Sequence, residues 1–298
     1  MLIFLLLLIT FIISLSIYII TISPFITLRP FRKDLNYFQK RGVVTDPRHC
    51  SIEYDDVTID TFDNYKLKGW FLKSKERKAL IIFFHGISDS RYSHLSFLER
   101  FVKQGFDVLV YDLRAHGESA GNFCTYGFYE KMDTESAIKF LEKRGYITRG
   151  SIIGLMGVSL GAAIALQSLN IDSRIKFCIA EAPFSSLSDT LSDYQSRGLY
   201  KIAKPYTSFI NRRIEKVGNF KISSIKPKDD VINFKGKILL IHGEQDEKIN
   251  VKYHYEILKN GHAIESFVLK TAGHNNLREI GGKDYINKIL LFINALIL

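Results

Sequence analysis

Residues 152–166 read IIGLMGVSLGAAIAL, a stretch without one charged side chain. An apolar run breaks at Gly-Val-Ser-Leu-Gly and a small, apolar run resumes. This is the pattern of a buried strand that turns at once into a buried helix. The apex residue of so sharp a turn is held in a strained conformation, and its neighbours two positions away must be tiny or strand and helix collide. Gly157 and Gly161 meet that need, and the hydroxyl of Ser159 is expected at the edge of a sheet. A helix starting at Leu160 would aim its first amides and the positive end of its dipole at the same spot, where developing negative charge is stabilised.

The rest of the chain fits a sheet built to receive this turn. The segments ALIIFFHG, FDVLVYD, SIIGLMG, FCIAEAP, KILLIHG and ESFVLKT are continuous apolar runs that end in Gly, Asp, Pro or Thr. Such runs suit strands buried on both faces of a parallel sheet. SIEYDDVTID and LKGWFLK read as two antiparallel strands before them. Helical patterns cover residues 93–104, 129–144, 160–169, 251–259 and 283–297. The alternation predicts an α/β fold, a mostly parallel central sheet with helices on both faces. One long, polar, largely helical insert, about residues 184–231, interrupts the rhythm as a cap or lid would.

A serine hydroxyl is a weak nucleophile until a base takes its proton, and the base needs an acid to orient it. Asp246 follows the run KILLIHG and His274 follows ESFVLKT, so the order is Ser159, Asp246, His274. That order, with each member just after a strand, suits a strand–turn–helix serine. Glu244 and Glu247 stand beside Asp246 as alternative acids. An oxyanion needs amides, and the backbone N–H groups of Ile87, just after His85-Gly86, and of Leu160 are the candidates. His85 is expected to orient that loop, His242 to sit beneath the acid loop, and His116, Asp112 and Arg114 to be structural. Tyr126 and Tyr129 are candidates for shaping a pocket. His49, His94, His254 and His262 show no metal-ligand spacing and read as ordinary.

On the segments HGIS (85–88), YDLRAHGES (111–119), GVSLG (157–161), HGEQDEKI (242–249) and AGH (272–274), the chain resembles an α/β-hydrolase of the broad serine-hydrolase group. That group includes monoacylglycerol lipases, membrane-anchored protein depalmitoylases and prolyl-oligopeptidase-like peptidases. The resemblance covers the chain from about residue 50 to residue 298. It implies nucleophile Ser159, acid Asp246, base His274 and oxyanion amides Ile87 and Leu160, with no cofactor and no metal. The expected reaction is cleavage of a carboxylic ester, thioester or amide through an acyl-enzyme. Acyl transfer on the same triad and a non-catalytic binding protein of this fold are the alternatives.

Residues 1–28 carry no charge either. About 20 apolar residues suffice to span a bilayer, and residues 2–22 supply them. There is no basic start and the apolar run exceeds that of a signal peptide, so an uncleaved transmembrane anchor is expected, whose removal should release a soluble, active domain. Arg29, Arg32, Lys33, Lys40 and Arg41 follow it in a basic juxtamembrane linker over 29–50. Positive flanks stay on the cytoplasmic side, which predicts a cytoplasmic hydrolase domain over 51–298. The net charge of +10 comes with no nucleic-acid motif, so nucleic acid is not expected as a partner. Residues 196–228 hold nine Lys or Arg against one acid, Glu215, interleaved with Leu199, Tyr200, Ile202, Tyr206, Phe209 and Ile210. Such a segment is a solvated basic face or a surface for anionic headgroups. The partners expected are an acyl-containing small molecule, lipid or lipidated substrate, and a membrane. Cys50, Cys124 and Cys178 form no CxxC and read as buried free thiols.

Overall fold

The computed structural model describes residues 1–196 and 204–297. Eight strands form one sheet: β1 (Glu53–Asp60), β2 (Lys66–Lys73), β3 (Ala79–Phe84), β4 (Phe106–Tyr111), β5 (Ile153–Val158), β6 (Ile175–Glu181), β7 (Lys237–Gly243) and β8 (Ile264–Leu269). Their order is β1-β2-β4-β3-β5-β6-β7-β8. β2 pairs antiparallel with both β1 and β4, and every other pair is parallel. The central strands are apolar on both faces because both are covered. In β3, Leu80, Ile82 and Phe84 enter one core and Ile81 and Phe83 the other.

Ten helices lie among the described residues: α1 (Leu2–Leu28), α2 (Leu35–Gln39), α3 (Leu95–Lys103), α4 (Glu130–Lys143), α5 (Leu160–Gln167), α6 (Leu187–Gln195), α7 (Thr207–Gly218), α8 (Pro227–Asp230), α9 (Lys252–Asn260) and α10 (Leu277–Ile297), the last broken at Gly282. α3 and α10 pack on one face of the sheet. The other face carries α4, α5, α7 and α9. Every residue of α5 is buried, which explains its lack of charge. The sheet and its helices form an α/β-hydrolase fold.

Two segments differ from the sequence expectation. α1 does not leave the domain cleanly. Residues 2–15 are exposed all round, but Pro24 and Leu28 are buried, and Ile19 packs on the core. The Tyr126 hydroxyl donates to Thr27 O at 2.7 Å and Cys124 N to Leu28 O at 2.8 Å. The segment after it is bound rather than free. Phe31 N donates to Ser88 Oγ at 3.0 Å, Arg32 reaches Ser119 O at 2.6 Å, and Phe38 and Cys50 are buried. A cut after residue 28 would remove Leu28 from the core it is buried in.

The insert between β6 and β7 also departs from a simple lid. α7 lies along α1, and Ile210 and Ile214 bury beneath it. Arg197, Leu199, Tyr200, Lys201 and Ile202 of the basic segment lie outside the described residues. The cysteines are all buried and unpaired with each other.

Candidate active site

Ser159 joins β5 to α5 with φ 55° and ψ −115°, a conformation costing about 1–3 kcal/mol that the surroundings must impose. Its N–H is tied to Glu181 O of β6 at 2.7 Å. The flanking glycines are obligatory. A Cβ on Gly157 would stand 2.2 Å from Gly161 O, and one on Gly161 would stand 2.2 Å from Phe84 O. Strand, turn and helix are thus pressed together, and the hydroxyl is the part left outside.

His274, in the loop after β8, reaches this hydroxyl. Ser159 Oγ lies 2.9 Å from His274 Nε2, and His274 Nδ1 lies 2.6 Å from Asp246 Oδ2. The ionised carboxylate can only accept, so Nδ1 carries the proton and Nε2 is free to accept the serine's. Asp246 is buried in the loop after β7, and its other oxygen accepts from Lys248 N at 2.9 Å and Ile249 N at 2.8 Å. Burial pushes its carboxyl up. The hydrogen bonds of His242 and His274, the charge of His274 and the Ile249 amide outweigh that and hold it well below the usual range. Glu244 and Glu247 are exposed, and the His274 hydrogen bond goes to Asp246.

Gly86 brings the loop after β3 against the serine: a Cβ there would sit 3.8 Å from Ser159 Cβ. The N–H groups of Ile87 and Leu160 have no hydrogen-bond partner among the described residues. His85 fastens that loop. Its Nδ1–H donates to Gly86 O at 2.8 Å and its Nε2 accepts from Leu113 N at 3.0 Å. Burial lowers its pKa to about 4, outweighing the Asp89 charge and the Gly86 hydrogen bond, which raise it. His116 packs against His85 at 5.1 Å between centroids, and burial lowers its pKa to about 3. His242 donates to Ile249 O at 2.9 Å beneath the Asp246 loop. Asp112 pairs with Arg91, and Arg114 with Asp133 and Asp63. These residues tie loops together behind the site.

Ser159 and His274 open onto a cleft of about 470 Å³. The wall also holds Asp89, Glu181 and Arg278, none of them named as candidates from the sequence. Arg278 Nε bonds Glu181 at 3.2 Å, its Nη1 donates to His94 Nδ1 at 3.2 Å, and His94 Nε2 lies 3.1 Å from Asp89. Tyr285 donates to the same Glu181 carboxylate. His94 is thus held between Arg278 and Asp89 at the cleft wall. Glu181 was findable as the one acid inside the apolar run FCIAEAP. Lys33 also lines the cleft, a contact that 126 residues of separation from Ser159 hid. Tyr126 and Tyr129 do not line it. Tyr126 bonds α1, and Tyr129 stacks on Phe62 and bonds Asn219 O at 3.0 Å. The insert contributes Tyr194 to the wall.

The family model described as serine aminopeptidase, S33, matches residues 75–217. A solved esterase from Pyrococcus furiosus superposes with a TM-score of 0.72 at 26% identity, over 91% of this chain and 100% of that one. An uncharacterized Bacillus subtilis protein, YqkD, is 27% identical over 203 residues, 67% of this chain and 66% of its own length. A thiohydrolase from Eupenicillium brefeldianum is 27% identical over 137 residues, 44% of each chain. With this fold and these likenesses on either side of the serine turn, the chain belongs to the α/β-hydrolase superfamily, among its serine hydrolases.

Proposed function

We propose that the chain hydrolyses a carboxylic ester, thioester or amide at Ser159 while α1 holds it in a membrane. The observation that carries the reading is the unbroken hydrogen-bonded series Ser159–His274–Asp246, at 2.9 and 2.6 Å. His274 Nε2 takes the hydroxyl proton as Ser159 Oγ adds to the substrate carbonyl. The tetrahedral oxyanion is received by the free N–H groups of Ile87 and Leu160, fixed donors of the kind worth about 3–4 kcal/mol each. The imidazolium is stabilised by ionised Asp246 and returns the proton to the leaving group. Water repeats the sequence on the acyl-enzyme and releases the acid.

The cleft volume of about 470 Å³ suits a small acyl substrate. The similarity to a thiohydrolase adds thioesters to the substrates worth assaying. α1 is long and apolar enough to cross a membrane, and the basic residues that follow it favour a cytoplasmic hydrolase domain.

A fluorophosphonate probe tests the chemistry. It should label the intact chain and leave Ser159→Ala unlabelled. Labelling of Ser159→Ala would put the nucleophile elsewhere, and no labelling of the intact chain would favour a binding protein. Esters and thioesters of increasing acyl length, each with and without added alcohol, would then rank substrates and separate hydrolysis from transfer.

A further inference from the structure

We infer that α7 is a docking surface for an anionic bilayer surface, held there by its packing along α1; the inference rests on the reading of α1 as a membrane helix. Ser16 Oγ of α1 meets the hydroxyl of Tyr206, just ahead of α7, at 2.6 Å. Twelve residues further along each helix, a Cβ on Gly218 would lie 3.5 Å from Leu28 Cδ2. Equal steps on both chains mean that the helices run parallel and level, for about 18 Å at 1.5 Å per residue.

This register fixes which parts of α7 meet which depth. Ahead of Ser16, α1 is apolar and exposed on every side, and its Thr10 and Ser16 hydroxyls are spent on carbonyls four residues back. Such a surface suits hydrocarbon. Arg212 and Arg213 stand level with Ile22 and Ser23 of α1, where charge is costly in hydrocarbon. Residues 2–22 supply the length a span needs, so the boundary falls just ahead of Ile22, and α7 carries Phe209 to the hydrocarbon edge and Arg212, Arg213 and Lys216 into the headgroup layer.

The outward face of α7 is made for that layer. Ile210, Ile214 and Gly218 are buried, whereas Phe209 is 57% exposed and Arg212, Arg213 and Lys216 are exposed. None of those three cations has an acidic partner among the described residues. Glu215, the acid of α7, is taken by Lys221 at 3.1 Å. An aromatic ring near the boundary with unneutralised cations beyond it is complementary to anionic headgroups. Continuity with the apolar part of α1 makes the bilayer its occupant rather than a soluble protein.

The test uses the full chain reconstituted in phosphatidylcholine vesicles with or without about 30% phosphatidylglycerol. A fluorophore is placed at Phe209→Cys or, on the opposite face of the sheet, at Lys103→Cys; the native cysteines are buried. Acrylamide, being neutral, should quench position 209 several-fold less in the anionic vesicles, and position 103 equally in both. Charge reversal at Arg212, Arg213 and Lys216 should abolish the difference, each cation contributing about fivefold. Equal quenching of position 209 in both vesicle types, or protection that survives charge reversal, would overturn the inference. Recovery of the chain in the supernatant after a carbonate wash would instead sink the membrane reading, and fluorophosphonate labelling of Ser159 reports separately on the chemistry.

Discussion

Two stretches of this chain are free of charge, and they finish in opposite surroundings. Residues 152–166 are enclosed almost throughout, with Ala162 to Leu166 wholly buried between sheet and helices. Residues 2–15 of α1 are all exposed. Hydropathy states only that both avoid water. Side-chain size separates them. The serine turn is rich in Gly and Ala, so backbones approach until Gly161 nearly touches Phe84 O. α1 presents Leu, Ile and Phe on all sides, a cylinder no single face of a domain can wrap. α1 repeats the contrast within itself, since Leu28 is wholly buried and Leu8 is 44% exposed.

The largest effects should come from the chemistry at the enclosed stretch. Ser159→Ala and His274→Ala are expected to lower kcat by about 10⁴–10⁶-fold with an unchanged unfolding midpoint. Asp246→Asn should cost about 10⁴-fold, and the exposed Glu244→Gln almost nothing. A dead Glu244→Gln with an active Asp246→Asn would reverse the assignment of the acid.

Next comes the close approach itself. Gly161→Ala must displace Phe84 O from 2.2 Å and should destabilise the domain by at least about 3 kcal/mol. Gly150→Ala, with nothing within 4 Å, should shift the denaturant midpoint little. Equal midpoints would mean that strand and helix can part without penalty.

The two halves of α1 can be set against each other. Leu28→Ala should cost about 2–5 kcal/mol as a core deletion, and Leu8→Ala under about 0.5 kcal/mol in detergent. Removing residues 1–28 should give aggregated protein, while removing 1–15 should leave a fold that a fluorophosphonate labels. A stable chain lacking 1–28 would make α1 a simple tether.

The smallest effect separates the regions by pH. His85, His116 and His254 are buried and resist protonation, with pKa values of about 4, 3 and 4. The unfolded chain takes those protons below about 6.5, so stability falls as pH drops from there, by about 1.4 kcal/mol per unit for each histidine. Asp246, held low, contributes in the opposite range; its stabilisation is lost only below about 3.9. His116→Phe should flatten the decline between pH 6.5 and 5 by one such increment, whereas substitutions in α1, which carries no carboxyl or imidazole, should leave the slope alone.

Much of this was legible along the chain because it is coded locally. Two-sided apolar runs mark buried strands, glycines two residues either side of Ser159 permit the turn, and chain order pairs an acid with a base. Glu181, Arg278 and His94 were missed because their meeting depends on the end of β6, the start of α10 and the residue ahead of α3 converging, which no spacing encodes. The same holds for Tyr126, whose place beneath α1 looked like a place beside the serine.

The sequence by itself determined the α/β rhythm, the serine turn, the order of the acid and base, and the presence of an apolar helix, since each follows from side-chain size, polarity and neighbours a few residues apart. Only the tertiary structure decided that Asp246 rather than Glu244 meets His274, that Lys33 borders the cleft, and that α1 is half core and half exposed helix. These depend on distances between segments more than a hundred residues apart or on which of two adjacent carboxylates a loop turns inward, and packing of the whole sheet sets both.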